Sequence, residues 1–490
     1  MSGFNQLLLG GGLKQSIVDD INSNKDTVQR ITDYVQKGQG KHQAYERLAN
    51  FTDFWGPRIS GSKVLEDSIT DMMNILRSEN LDNVDGEPVK VPDWRRGTEW
   101  ATMVSPREQD FEILALGSSV GTQNETGGTL EAEIIVVTSF EELESMNDAD
   151  VLGKIVVFNQ GWDGYGHGKP YRDLGASAAA KKGAAAALIQ SVADFTLYTP
   201  HTGQQVYQDN TAQIPVACIT IEDAEFLNRM SHRGPVKLQL HMEAVTYPEK
   251  DSYNIIAEII GSEYPDQVVV IGAHIDSWDV GMGVMDDGGG VFITLQAMTI
   301  LKRLGLTPKR TLRLVLWTAE EEGLIGAKAY FEAHKNESDN FVIVMESDGG
   351  TFTPRGIGFS GTDDARMMIE AVMKLLSDFT QGTGVGESGS SPDTGEWEAI
   401  GVPVGNLWNA NENYFYYHHT HADSMTMMDA DVLDLCTIVW TSAAYVFANT
   451  DQRIPREGES IGGTTALVPN CISITLAFCL MILLKSRHDL

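Results

Sequence analysis

Histidines and carboxylates close apolar runs five times in the second half of this chain. "VVVIGAHID" ends in His274 and Asp276, and "MDDGGG" places Asp286 and Asp287 before a glycine run. "RLVLWTAEEE" ends in Glu320, Glu321 and Glu322, and "FVIVMESD" in Glu346 and Asp348. "YFYYHHTHADS" supplies His418, His419, His421 and Asp423. A single acid at a strand end is usually a helix cap. Five such groups converging at one place would repel one another unless a cation sits among them. Mixed imidazole and carboxylate donors suit Zn²⁺ or a similar divalent ion. Five or more donors suit two ions with one carboxylate shared between them.

The elements that must position these groups are legible from residue 250 onward. Apolar strands such as "YNIIAEIIG", "QVVVIGAHID", "RTLRLVLWTA" and "NFVIVMESD" alternate with helical stretches such as "GGGVFITLQAMTILKRLG", "EEGLIGAKAYFEAHK" and "ARMMIEAVMKLLSDF". That alternation predicts an α/β fold with a mixed, mostly parallel sheet covered by helices. Ligands of such sheets bind beyond the carboxyl ends of the strands, where the five clusters fall. In this reading Glu322 faces solvent at the start of a helix.

Upstream, residues 1–113 read as two helices around "GPRISGS" followed by a strand, the first part of the same domain. From residue 114 the texture turns Gly/Thr-rich with short β-prone runs, and the small-residue stretch 175–191 reads as an Ala-rich helix. Residues 114–246 are therefore expected to be an inserted α/β domain and 247–455 the catalytic part. Residues 456–490 are expected to be a polar linker and an apolar tail, "CISITLAFCLMILL" at 471–484, a candidate for membrane attachment.

Composition narrows the partners. The chain has 490 residues, 42% of them hydrophobic, and a net charge of −32, which opposes binding to nucleic acid. The cysteines, Cys218, Cys436, Cys471 and Cys479, form neither a CxxC nor a disulfide framework. The first residues carry no basic, apolar pattern of a signal peptide. Sequons at Asn50, Asn124 and Asn336 are candidate glycosylation sites and point towards an extracellular, secretory or lysosomal lumen.

The set His274-x-Asp276, Asp286-Asp287-Gly, Glu320-Glu321, Asp348 and His419-Thr-x-x-Asp423 resembles the M28 family of co-catalytic zinc metallopeptidases. The resemblance spans roughly residues 25–450. It implies a phosphorylase/hydrolase-like peptidase domain with a protease-associated-like insertion, two Zn²⁺ per chain, a peptide substrate and a secreted homodimer. Carried over by position, Asp286 would bridge both ions, His274 and Asp348 would complete one site, and Glu321 and His419 the other. Glu320 would be the general base, and Asp276 would orient His274. The resemblance also implies a cis peptide at Asp286–Asp287. His421 and Tyr416 are candidates for touching substrate, and Asp393 for a supporting role. The expected activity is exopeptidase cleavage of dipeptides or short peptides, of carboxypeptidase or dipeptidase type. The alternatives are an aminopeptidase of the same family and an inactive binding ectodomain of the same fold.

Overall fold

A computed structural model describes residues 13–122, 128–382 and 384–459. Asn124 and the 471–484 run lie outside the described residues.

Eight strands form the main sheet, in the order Asp82–Arg95, Val245–Ile259, Arg310–Trp317, Tyr264–His274, Phe341–Glu346, Val404–Asn409, Pro354–Ser360, Gly384–Gly386. The four central strands, Arg310–Trp317 to Val404–Asn409, pair in parallel, and antiparallel pairs flank them. Alternate side chains serve two cores. Val269, Ile271 and Ala273 pack with the helices Gly289–Arg303 and Ala430–Asn449. Val268 and Val270 pack on the other face with Tyr330 and Phe331 of the helix Ile325–His334. Burial on both faces is why these strands read as unbroken apolar runs. Ala430–Asn449 is long and apolar enough to cross a membrane, but it is a core helix here, with most of its residues buried.

Register sets the site. His274 pairs with Trp317, and Gly272 with Glu346, so the residues after these three strands emerge side by side at one edge.

The strands Asp82–Arg95 and Val245–Ile259 run as a long antiparallel ribbon that ends at the pair Arg95 and Val245. A second eight-stranded sheet hangs from it, beginning at Glu99–Ser105. The compositional change at residue 114 therefore lies inside this sheet, because composition tracks loops whereas the join is set by pairing. Its small-residue stretch is not one helix. The helix Tyr165–Lys181 starts earlier, Gly183 turns the chain at φ 80°, and Ala186–Gln190 is a buried central strand.

The two sheets are locked together. Trp278, from the loop after the His274 strand, is buried in the second core and meets Trp94 edge-on at 6.4 Å. Arg96 donates to Asp279 from Nε and Nη2, at 2.8 and 2.6 Å. Beside them Glu99 accepts the Ala115 amide at 3.0 Å, and burial pushes its carboxyl up to about 7 despite Arg96. A carboxyl whose folded pKa is raised stabilises the fold at low pH and loses that contribution as pH climbs towards 7. From pH 5 to pH 8 the wild type should therefore lose about 1–3 kcal/mol more unfolding free energy than Glu99→Gln. Parallel urea-derived stability profiles for the two proteins would refute this. Asn50 and Asn336 are both exposed, Asn50 within the helix Gln43–Trp55.

Candidate metal centre

Asp286 sits at the middle of the sheet-edge cluster. Its Oδ1 is 3.1 Å from His274 Nε2, and its Oδ2 is 3.3 Å from His419 Nε2. His274 Nε2 is also 3.5 Å from Asp348 Oδ1, and His419 Nε2 is 2.9 Å from Glu321 Oε2. His274, Asp286, Glu321, Asp348 and His419 are thus one contiguous group, with Asp286 between two histidine–carboxylate pairs.

The ring tautomers follow from the partners. His274 Nδ1 faces the Asp276 carbonyl at 3.2 Å, and His419 Nδ1 faces the Thr202 carbonyl at 3.1 Å. A carbonyl only accepts, so each Nδ1 carries the hydrogen and each Nε2 lone pair points at Asp286. Lone pairs aimed at a carboxylate repel unless the ring gains a proton or a cation lies between. Burial opposes charge on His419, yet Glu321 and Asp286 lift its pKa to about 9. Burial pushes Glu321 and Asp348 up as well, and Asp286 adds repulsion to both. Nitrogen and oxygen donors, buried and short of positive charge, are what a divalent cation fits.

Several features hold the donors in place. Asp276 takes the Glu320 amide on Oδ1 at 3.2 Å and the Glu321 amide on Oδ2 at 3.3 Å. Its carboxylate thus fixes the glutamate turn, and the orientation of His274 falls to its main-chain carbonyl. Asp423 accepts the amides of Val284, Met285 and Asp286, at 3.1, 2.7 and 3.2 Å, and so fixes the loop carrying the central carboxylate. Burial lifts Asp423 to about 7 against those three bonds. Asp287 accepts the His274 amide at 3.2 Å and the Gly290 amide at 3.1 Å. The Asp286–Asp287 peptide is cis, as the resemblance implies. Ala319 and His419 are left-handed at φ 54° and 61°, a cost of about 1 kcal/mol each that the packing around them sustains.

Arg58 gave no signal in the sequence beyond its place in "GPRISGS". Fully buried, it donates to the carbonyls of Gly56, Ile275, Met282 and Gly283 at 2.8–3.0 Å, and so ties together the loops after His274 and before Asp286. Burial lowers its pKa to about 10, so it remains a cation under the acids.

Glu322 does not face solvent. The turn at Ala319 carries Glu320–Gly323 across the sheet edge, and the helix starts only at Ile325. Glu322 Oε2 is buried without a hydrogen-bond partner, and burial followed by Asp276 and Glu321 raises its pKa well above the usual range. Glu346 accepts the Asp393 amide at 2.9 Å, and burial raises both carboxyls, each beside the other.

A cavity of about 520 Å³ opens over the cluster. Glu320, His418, Tyr414 and Phe415 line it, together with Arg172 and Tyr165 of the helix Tyr165–Lys181, and Tyr165 stacks on Phe415 at 5.1 Å. His421 is exposed and Tyr416 packs on Phe195 at 4.8 Å, so neither lines the cavity. The short 3₁₀ turn Tyr414–Tyr416 explains the shift: a spacing of three to four puts 414, 415, 418 and 419 on one side. His418 stacks on His419 with ring centroids 3.5 Å apart, and burial keeps it uncharged.

Comparison with known proteins identifies the family. The profile of peptidase family M28 matches residues 254–444. Carboxypeptidase Q of Bos taurus is 48% identical over 443 residues, covering 90% of this chain and 93% of that protein. The crystal structure of a peptidase M28 precursor from Shewanella amazonensis SB2B superposes with a TM-score of 0.82 at 33% identity, over 88% of this chain and 98% of that one. BSAP, a zinc aminopeptidase from Bacillus subtilis, shares the fold at 21% identity with a TM-score of 0.64, over 84% of this chain and 96% of its own. Identity of 48% sustained along 90% of the chain goes well beyond a shared fold, and the chain belongs to peptidase family M28.

Proposed function

We propose that this chain is a zinc-dependent exopeptidase that hydrolyses dipeptides or short peptides, with Glu320 as general base. The observation that carries the reading is Asp286, held between His274 and His419 on the floor of a cavity that also contains Glu320. His274 and Asp348 would hold one ion, Glu321 and His419 a second, and Asp286 both. Bound there, zinc supplies an acidified water and polarises the peptide carbonyl. Glu320 takes a proton from the attacking water and returns it to the leaving amine. Burial already raises the Glu320 carboxyl well above the usual range, which favours proton acceptance. Asp276 holds the Glu320 amide and so the position of the base, while Tyr165, Tyr414 and His418 line the cavity beside it.

The similarity to carboxypeptidase Q supports the carboxypeptidase or dipeptidase form of the reading over an inactive binding ectodomain, since every donor and the base are present. Zinc-loaded protein is expected to release free amino acids from unblocked dipeptides, resolved by chromatography of the products. No release from any member of a dipeptide and tripeptide panel would sink the reading.

A further inference from the structure

The two histidines of the metal centre are held from different places. His274 is kept by loops of the main sheet: its Nδ1 faces the Asp276 carbonyl at 3.2 Å, and its amide donates to Asp287 at 3.2 Å. His419 is held across the join between the two sheets. Its Nδ1 donates to the Thr202 carbonyl at 3.1 Å, and its own carbonyl accepts the Thr202 amide at 3.0 Å. One residue earlier, the His418 carbonyl lies 2.8 Å from His201 Nδ1. A carbonyl only accepts, so the hydrogen of His201 is on Nδ1 and the bond runs from His201 to His418.

His201 and Thr202 belong to the segment linking the strands Ala186–Gln190 and Val216–Ile219 of the second sheet, and both are buried. That sheet fixes them. The His201 amide donates to Ser191 Oγ at 2.9 Å, which in turn donates to the Ile219 carbonyl at 2.8 Å. Thr202 Oγ1 donates to the Ala115 carbonyl at 2.8 Å, and the Gly203 carbonyl accepts the Gly117 amide at 2.9 Å. The stretch they hold is strained, because His419 is left-handed at φ 61°. A histidine free of these bonds would favour negative φ and turn its ring away from Asp286.

We infer that His201 is a positioning residue for the metal position formed by Glu321 and His419. It holds the 418–419 peptide so that His419 Nε2 stays aimed at Asp286. The second sheet thereby sets the affinity of one ion of the pair and leaves the His274–Asp348 position alone. This rests on the two-ion reading above and adds to it a link between sheets: docking of the second sheet and filling of that position stabilise each other.

The test measures zinc dissociation constants of the full-length protein by chelator competition. His201→Leu should weaken one zinc by about 10- to 100-fold. The other should stay within about threefold of the wild type. His201→Asn, whose amide nitrogen stands in for Nδ1, should restore the lost affinity. In a Glu321→Gln background, where the affected position is already damaged, His201→Leu should leave the remaining zinc unchanged. In an Asp348→Asn background it should weaken the remaining zinc as strongly as before. Thr202→Val keeps the side-chain shape and removes only the Oγ1 bonds. It should weaken the same zinc by less, and decides the matter if His201→Leu does not fold. Equal weakening of both ions, failure of His201→Asn to rescue, or unchanged zinc binding in His201→Leu would overturn the inference, as would unchanged binding in Thr202→Val where His201→Leu does not fold. A wild type that binds fewer than two zinc ions would defeat the two-ion reading by itself. Hydrogen exchange of the metal-free protein then decides the inference. The Thr202 amide, which donates to the His419 carbonyl, should exchange at least about tenfold faster in His201→Leu than in the wild type. Equal exchange would end the inference.

Discussion

Glu320→Gln is expected to lower kcat by between about 10²- and 10⁴-fold while leaving the bound metal in place. The substitution keeps the volume and removes only the ability to take a proton. The Glu320 amide is held by Asp276, and that bond is unaffected by a change at the carboxyl end. The donor groups close enough to share an ion include Glu321, Asp286, His274, Asp348 and His419, and Glu320 belongs to none of them. Metal content measured by atomic emission should therefore match the wild type. Glu321→Gln should show the contrast, losing metal and activity together, because Glu321 lies 2.9 Å from His419 Nε2. A wild-type kcat in Glu320→Gln would remove Glu320 as the base, and loss of metal would make it a ligand.

Removal of metal is the second large effect. Stripped of cations, the site packs Asp286, Glu321 and Asp348 around two imidazoles, with burial driving the pKa values of Glu321 and Asp348 upward. Chelator-treated protein should lose all peptidase activity and unfold at a lower temperature. Zinc at about a thousandfold excess over its Kd should restore activity and add about 4 kcal/mol to stability, because the ion binds only the folded arrangement. Differential scanning calorimetry with and without zinc reads the second part independently of turnover. A melting temperature indifferent to zinc would argue against the metal centre, as would full activity after complete removal of metal.

The sequence and the three-dimensional structure divide the account along a physical line. Strands buried on both faces must be uninterrupted apolar runs, so their ends are conspicuous, and a switch to acids or histidine at several such ends marks one edge of a parallel sheet. That is why the α/β architecture and the gathering of histidines and carboxylates at one sheet edge were legible from residue order, whereas it was the resemblance that singled out His274, Asp286, Glu321, Asp348 and His419 among them. The direction of each side chain within a run was less so. Glu320, Glu321 and Glu322 read as the start of a helix with its last acid in water, but Ala319 in a left-handed conformation makes the run a turn that leaves Glu322 half-buried, with Oε2 out of solvent. The substrate wall was assigned to Tyr416 and His421, whereas a 3₁₀ turn presents Tyr414, Phe415 and His418 instead.

Groups whose task is to hold other groups were the least visible. Arg58 gains its role from three carbonyls on segments far from it in sequence, those of Ile275, Met282 and Gly283, and Asp423 from three amides of the loop at 284–286. Neither set of partners has a local pattern. Tyr165 and Arg172 reach the cavity only because the ribbon of Asp82–Arg95 and Val245–Ile259, with Trp278 and the Arg96–Asp279 pair, fixes the second sheet over the first. The sequence by itself determined where candidate donors gather, because their chemistry and strand-end positions are local properties. Only the tertiary structure decided what surrounds them, because contacts between segments more than a hundred residues apart depend on how two sheets pack.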